Sequence, residues 1–345
     1  MASFVFDDLD RQIVQALQID GRVPFSRLGA VLGVADQTVA RRYRRMVTAG
    51  VLRVFALPNV HRFGHGHWMI RLRCAPDAAQ AVADALAQRP DTSWVTLLSG
   101  GTEISCNVRS WTAAEHDALL LRKLPRTAQI QSITAQQVIH FFAGGMVGHP
   151  TGRAWVRLGA LSEQQVSALA SGYAPAGQPE PMVPPADPPF ADPPSDVLDA
   201  EDRELVTALA QDGRRSYPEL AALLRRSESS VRRRLEALRA LGAVYFDLDV
   251  AHEILGPHVL ARIWLSVAPA DLVAVGTAMA SHPEIVFAGA TTGTTNIVAA
   301  AACRDGADLF RYITQRVGAL AAVHGLESAP VVRTVKHEMM IVPPR

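Results

Sequence analysis

The sequence predicts an α+β protein made of two winged-helix-type helix-turn-helix domains and two ferredoxin-like (βαββαβ) domains, duplicated in tandem. Three observations predict it. The first is an internal repeat. Asp10-Arg11 returns as Asp202-Arg203, Asp20-Gly21-Arg22 as Asp212-Gly213-Arg214, and Leu28, Leu32 and Val39 as Leu220, Leu224 and Val231. Gly50 and Gly64 return as Gly242 and Gly256 at the same offset (212 − 20 = 192). Further on the register slips by one, so Pro76 matches Pro269 and Gly100 matches Gly293. A unit of roughly 150 residues is far longer than a solenoid repeat and needs its own core. The second observation is the start of each copy, where a short apolar helix, a tight turn and an arginine-rich helix follow one another. The third is a change of hydrophobic period after Gly66, from helical spacing to alternation.

In the first copy, Leu9, Ile13, Ala16 and Leu17 lie on one face of a helix over Asp8 to Ile19, capped by Asp7 or Asp8 and ended by Asp20-Gly21. A second helix begins near Pro24, and Gly33 makes the turn. The stretch from Ala35 to Ala49, ADQTVARRYRRMVTA, has Val39, Tyr43 and Met46 on one stripe and Arg41, Arg42, Arg44 and Arg45 over most of the rest. Gly50 stops it. Val51 to Leu57 is an apolar strand or wing, and the chain to Gly64 is a hinge. HWMIRLRC reads as a strand, Pro76 to Gln88 as a helix, and Ser93 to Leu98 and Glu103 to Val108 as strands about a Gly100-Gly101 turn. A helix over Thr112 to Lys123 and a strand over Ile130 to Phe142 complete the copy.

The predicted domains are 1–60 and 196–254 for the helix-turn-helices, 61–145 and 255–345 for the ferredoxin-like units, and 146–195 for a linker. Within the linker, Ser162 to Ala170 forms a short helix with a Ser-x-x-Gln cap. From Pro175 onward, proline crowding makes an extended spacer. In the second copy Ser216-x-x-Glu219 is a capping box and Ser227 an N-cap, where the first copy has Pro24 and Ala35. The first-copy helix starts are therefore weaker by about 1 kcal/mol each, and the second helix-turn-helix is expected to be the better ordered. Asp36 is placed to cap one residue late. The second ferredoxin-like unit is expected as strand Val259 to Val267, helix Ala270 to Ser281, strands Ile285 to Ala290 and Ile297 to Cys303, helix Ala307 to Leu320, and a strand near Pro330 to Ile341.

With 345 residues, 49% apolar, the chain has material for several cores, and its net charge of +1 excludes a general polycation. A nucleic-acid surface must come from local arginine clusters, which the two basic helices supply. Cys74, Cys106 and Cys303 are scattered and without a CxxC neighbour, so neither a disulfide framework nor a zinc site is expected, and a reducing cytoplasm suits the chain. The acidic start, MASFVFDDLD, lacks the pattern of a signal peptide, and the apolar window from Ile285 to Cys303 is too broken by glycine and asparagine to span a bilayer. His61, His65 and His67 read as exposed loop histidines rather than a metal site, because the spacing is no known signature and the second copy keeps only His252 and His258. No cofactor, metal or membrane partner is expected.

Double-stranded DNA is the partner that a basic helix displayed twice implies. Groove-facing candidates are Gln37, Thr38 and Arg41 in the first copy, with Ser229, Ser230 and Arg233 in the second. Arginine can bond two guanine acceptors, worth about 1–3 kcal/mol of discrimination. Arg44, Arg45, Arg232 and Arg239 read as phosphate contacts or solvated charges, and Arg42 and Arg234 as DNA-binding candidates that are partly structural.

LDRQIVQALQIDGR, the Gly50-Val51-Leu52 after the basic helix and Phe63-Gly64 before the next strand resemble the leucine-responsive regulatory protein/AsnC (Lrp/AsnC) family. The resemblance covers nearly the whole chain outside the linker, twice. It implies a bacterial, cytoplasmic, sequence-specific transcriptional regulator, not an enzyme. It also implies that the ferredoxin-like units are ligand-sensing domains and that the chain is a family dimer fused into one polypeptide, with further self-association of the fused chains. The family's effector turn commonly reads Gly-Asp-Tyr-Asp. Here the turns are Gly100-Gly101-Thr102-Glu103 and Gly293-Thr294-Thr295-Asn296, whose ends differ from that pattern and from each other. Gly100, Gly101, Glu103, Gly293, Thr295 and Asn296 are thus the candidates for an amino-acid-like effector. Siroheme decarboxylases are similar to this family and are sometimes fused in tandem, but their His-Asn-Tyr-like run with a following Arg is replaced here by Trp94 to Leu98 and Val286 to Ala290. A sequence-neutral, architectural DNA binder is the remaining alternative.

Overall fold

A computed structural model describes residues 4–59, 67–109, 119, 124, 127–144, 158–170, 198–251, 254 and 258–342. They form two compact units, each drawing on both copies: Met1–Phe63 with Met146–Gly256, and Gly64–Gly145 with Pro257–Arg345. The expected Thr112 to Lys123 helix (apart from residue 119), His61, His65, His252, Phe63-Gly64, Gly256 and the Pro-rich segment from residue 171 to 197 lie outside the described residues.

In the first unit the helices fall close to their sequence signals. The first copy gives α1 (Asp8–Ile19), α2 (Phe25–Leu32), α3 (Asp36–Thr48) and β1 (Leu52–Pro58). α1 starts with a reciprocal box in which Asp7 accepts from the Asp10 backbone N–H at 2.9 Å. Pro24 and Ala35 give α2 and α3 no side-chain cap, and Asp36 bonds only the adjacent Gln37 N–H. The expected linker helix is α5 (Glu163–Ala170; α4, Ala79–Ala87, belongs to the other unit), with Ser162 and Gln165 bonding each other's backbone as read. It packs against the first copy. Gln15 accepts from the N–H groups of Ala160 and Leu161, Gln165 donates to the Val31 carbonyl, and Leu169 is buried, so this piece of chain is folded onto α1 and α2.

The second copy gives α6 (Ala200–Gln211), α7 (Tyr217–Leu224), α8 (Glu228–Ala240) and β6 (Val244–Val250). Ser216 and Ser227 cap α7 and α8 through the N–H groups of Glu219 and Ser230. One repeat position reverses the advantage. The turn after α2 is Gly33 at φ 70°, but the same place after α7 holds Arg225 at φ 54°, in the left-handed region that disfavours a side chain.

β1 and β6 pair antiparallel, from Leu52 opposite Val250 to Pro58 opposite Val244, so the expected wing is a ladder between copies. The Asp-Gly-Arg repeats close the same seam. Arg22 donates to the carbonyls of Gly213 (2.7 Å) and Arg215 (3.1 Å), and Arg214 to those of Gly21 (2.7 Å) and Val23 (2.9 Å). Each guanidinium also lies over aromatic rings of the other copy, Arg22 over Tyr217 and Arg214 over Phe25 and Tyr43. A side chain at Gly213 would put its Cβ 2.8 Å from the backbone of Phe55, which is why glycine stands there.

The second unit is a closed barrel with the strand order β10-β3-β4-β2-β5-β8-β9-β7. Its strands are β2 (His67–Cys74), β3 (Thr92–Leu98), β4 (Glu103–Arg109) and β5 (Ile130–Ala143) from the first copy, with β7 (Val259–Val267), β8 (Ile285–Thr291), β9 (Ile297–Cys303) and β10 (Val323–Lys336) from the second. β5 pairs with β2 of its own copy and β8 of the other, and β10 pairs with β7 and β3. Alternation along each strand separates two environments. Ile70, Leu72, Ile104 and Cys106 face α4 (Ala79–Ala87) through Ala83 and Leu86, and Ile263, Leu265, Ile297 and Ala299 face α9 (Leu272–Ser281) through Val275 and Met279. Met69, Leu98, Val138, Trp264, Val298 and Ala329 fill a third cluster between the copies.

Three expectations need correction. β10 begins at Val323, not near Pro330. Proline reads as a strand boundary because it has no N–H to donate, yet Pro330 sits inside the strand opposite Ala261. The last helix is α10 (Gly306–Arg311) continued by a wider π turn to Val317, shorter than Ala307 to Leu320. His67 is not exposed: it is buried at the start of β2 with its ring edge-on to Phe141 at 5.4 Å.

Candidate nucleic-acid interface and effector turns

The arginines of α3 and α8 divide into two sets. Arg42 bonds Asp7 and Asp10 of its own copy, and its repeat equivalent Arg234 bonds Asp199, Asp202 and Glu201. The Asp7 carboxylate raises the Arg42 guanidinium pKa, and that of Asp202 does the same for Arg234. Arg45 bonds Asp10 at 2.5 Å and covers the ring of Phe4. Asp10 is fully buried, so these pairs brace the third helix against the first in each copy. Arg232 is exposed but engaged by Glu228 and the ring of Tyr217, and Arg239 reaches Asp20.

Arg41 and Arg233 form the other set. Both are exposed, and among the described residues neither has a hydrogen-bond or ion-pair partner. They are one position of the two copies. Gln37 and Ser229 near the helix starts are also exposed, while Thr38 and Ser230 are half-buried. Ser229 Oγ lies 3.2 Å from Ser227 Oγ, and the Ser230 N–H is taken by the Ser227 cap. Arg44 is exposed and, among the described residues, donates only to the Ala40 carbonyl of its own helix. Two guanidinium groups with five free N–H donors apiece, at matched places on two braced helices, suit acceptors on a base edge or phosphate.

The effector-turn candidates lie in the barrel unit and are unlike each other. At the first turn Ser99, Gly100 and Gly101 all have positive φ, and a Cβ at either glycine would meet nothing within 4 Å. Glu103 is buried and its carboxylate accepts from Arg71 (2.7 Å) and Arg73 (2.8 Å). Arg71 also pairs with Glu327 and lies 4.3 Å over Trp264. The second turn is filled. Asn296 bonds both the N–H and the carbonyl of Val267, and the Thr295 carbonyl and hydroxyl accept from Gln136. Gly293, at φ 109°, has the Gln136 amide nitrogen 2.9 Å from where a Cβ would stand.

Sequence reasoning missed Arg22, Arg214 and Gln136. The first two had a signal, since loop residues are seldom repeated identically without a structural task. Gln136 had none, because its equivalent in the second copy is Ala329.

Comparison with known proteins follows the same division. The AsnC-type helix-turn-helix domain matches residues 6–47 and 198–239, and the Lrp/AsnC ligand binding domain matches residues 260–341. An HTH-type transcriptional regulator of Pyrococcus furiosus is 31% identical over 130 residues, which is 37% of this chain and 88% of that protein. One from Pyrococcus abyssi is 29% identical over 129 residues, 36% of this chain and 81% of that protein. These relatives are archaeal and lend no support to a bacterial source. Among solved structures, the siroheme decarboxylase NirDL aligns over 98% of this chain and 95% of its own, with a TM-score of 0.60 and 14% identity, a likeness of fold alone.

Proposed function

The chain belongs to the Lrp/AsnC family of helix-turn-helix transcriptional regulators, and from that premise we propose that it acts as a fused pseudo-dimer, one polypeptide reading two DNA half-sites. The observation that carries this reading is the pairing of Arg41 with Arg233: equivalent, exposed and, among the described residues, unengaged, while their neighbours Arg42 and Arg234 are spent on bracing. Arg41 with Gln37 and Thr38, and Arg233 with Ser229 and Ser230, contact base edges in successive major grooves, roughly 34–36 Å apart or a multiple of that. The two sets differ, so the operator is an imperfect palindrome. Arg44, Arg45 and Arg232 contribute to phosphate attraction.

The ligand-binding fold supports a small, amino-acid-like effector acting at the Gly100–Glu103 turn, and fused chains associate further in solution. The domain plan is the one expected from the repeat, 1–60, 61–145, 146–195, 196–254 and 255–345. Footprinting on selected genomic fragments tests the DNA reading. It predicts two protected half-sites of different sequence, retained against excess random DNA at stated salt, whereas an architectural binder would lose all protection.

A second reading, a siroheme-decarboxylase-like enzyme, has the backbone likeness to NirDL behind it. Neither Trp94–Leu98 nor Val286–Ala290 offers a group to move a proton. Mixing the protein with siroheme and finding no change in the absorption spectrum disposes of it.

A further inference from the structure

The Gln136 side-chain nitrogen of β5 reaches across to the second copy and meets four oxygens of one turn: the Thr295 carbonyl at 2.6 Å, the Thr292 carbonyl at 2.9 Å, the Thr295 hydroxyl at 3.2 Å and the Thr291 hydroxyl at 3.4 Å. Two of the four are carbonyls, which only accept, so the atom facing them must be a donor. Gln136 is itself buried. The backbone repeats the attachment beside it, with the Thr292 N–H donating to the Gln137 carbonyl and the Gln137 N–H to the Thr292 hydroxyl. A primary amide has two hydrogens for these four oxygens, so the cradle offers more acceptance than its occupant uses.

The barrel's pseudo-symmetry supplies the comparison. Val138 faces Thr291 as Val331 faces Leu98, an offset of 193 on both sides (331 − 138 = 193; 291 − 98 = 193). Gln136 therefore corresponds to Ala329, which has no polar atom to place in the first turn, and a Cβ at Gly100 or Gly101 would meet nothing within 4 Å. The same fold thus fills one turn with a glutamine amide and offers an alanine at the equivalent place of the other.

We propose that the Thr291–Thr295 turn is a receptor for a primary carboxamide or primary ammonium group, and that the chain keeps it occupied with its own Gln136. This rests on the reading of these turns as the effector sites. Gln136→Ala removes from Cγ outward the equivalent of acetamide, so acetamide is the probe. In saturation-transfer NMR on the full chain, acetamide binds Gln136→Ala but not the wild type or Gln136→Met, which fills the space without a donor. Acetone, the same shape without N–H, binds none of the three. Equal signals from wild type and Gln136→Ala, no acetamide signal from folded Gln136→Ala, or acetone matching acetamide would overturn the proposal. Thermal unfolding at pH 8 provides the second arm, needed if Gln136→Ala does not fold: Gln136→Glu turns a carboxylate on the four oxygens and melts below Gln136→Met. A Gln136→Glu chain melting with the wild type also overturns it. Neither arm involves DNA, so a failure here is separable from a failure of the regulatory reading.

Discussion

Phe55 and Asp247 stand directly opposite each other in the β1–β6 ladder, and they are the same position of the two copies, 247 − 55 = 192. A residue that pairs with its own repeat marks a local two-fold axis, and the ladder around it obeys that symmetry from Leu52 to Pro58. The reciprocal Arg22 and Arg214 contacts fall on either side of it. The two helix-turn-helices are therefore held as one body.

The clasp predicts a specific weakness. Arg214→Met keeps much of the packing over Phe25 and Tyr43 but leaves the carbonyls of Gly21 and Val23 without a donor, and should cost about 1–3 kcal/mol in urea unfolding. Gly213→Ala meets the Phe55 backbone and should be at least as damaging. Arg22→Met should match Arg214→Met, and the double variant should fall short of their sum because the two contacts hold one seam.

The arginines of the third helices should separate by role. Arg41→Ala and Arg233→Ala leave unfolding unchanged and weaken specific DNA binding by about 1–3 kcal/mol each, read by gel shift at fixed salt. Arg234→Ala lowers stability by about 1–3 kcal/mol, because it strands Asp202, and Arg42→Ala lowers it by less, because Arg45 still holds Asp10. Equal stability loss from all four would show that the division is wrong.

Arg225 makes a prediction in the opposite direction. It occupies a left-handed turn for which the first copy uses Gly33, and it is exposed. Arg225→Gly should raise stability by about 1 kcal/mol, as relief of the strained φ outweighs the greater freedom of the unfolded chain. Ala35→Ser, which supplies α3 with the cap that Ser227 gives α8, should add about 1 kcal/mol independently.

Much of this was legible in the chain because the signals are local. Glycine stops, aspartate and serine caps, and alternating strands placed every described element of the first copy to within a few residues. What was not legible joins the copies. Nothing in Leu52–Pro58 says that it pairs with Val244–Val250, and nothing in the chain around Arg42 names Asp7 and Asp10 as its partners. The alternation of β10 is hidden by Gly325, Glu327 and Pro330, whose places are set by their β7 partners Ser266, Trp264 and Ala261. At the candidate site, the sequence set Arg41 and Arg233 apart from the partly structural Arg42 and Arg234, but it could not name the carboxylates that hold the latter pair.

His337 gives the barrel a pH dependence. It is buried, and burial pushes its pKa down to about 4 from the ordinary 6.5. The folded state therefore resists a proton that the unfolded chain accepts. The stabilising contribution is complete above pH 6.5 and is lost as pH falls toward 4, by about 2 kcal/mol between pH 7 and pH 5. Urea titrations at the two pH values should show this loss, and His337→Gln should reduce it.

The central claim is that one chain carries two readers. Footprinting of the wild type, Arg41→Ala and Arg233→Ala on a single natural operator tests it most directly. Each substitution should fade protection over a different half-site, with one folded chain bound per operator. Loss of the same half-site in both variants, or a footprint that neither variant alters, would contradict it.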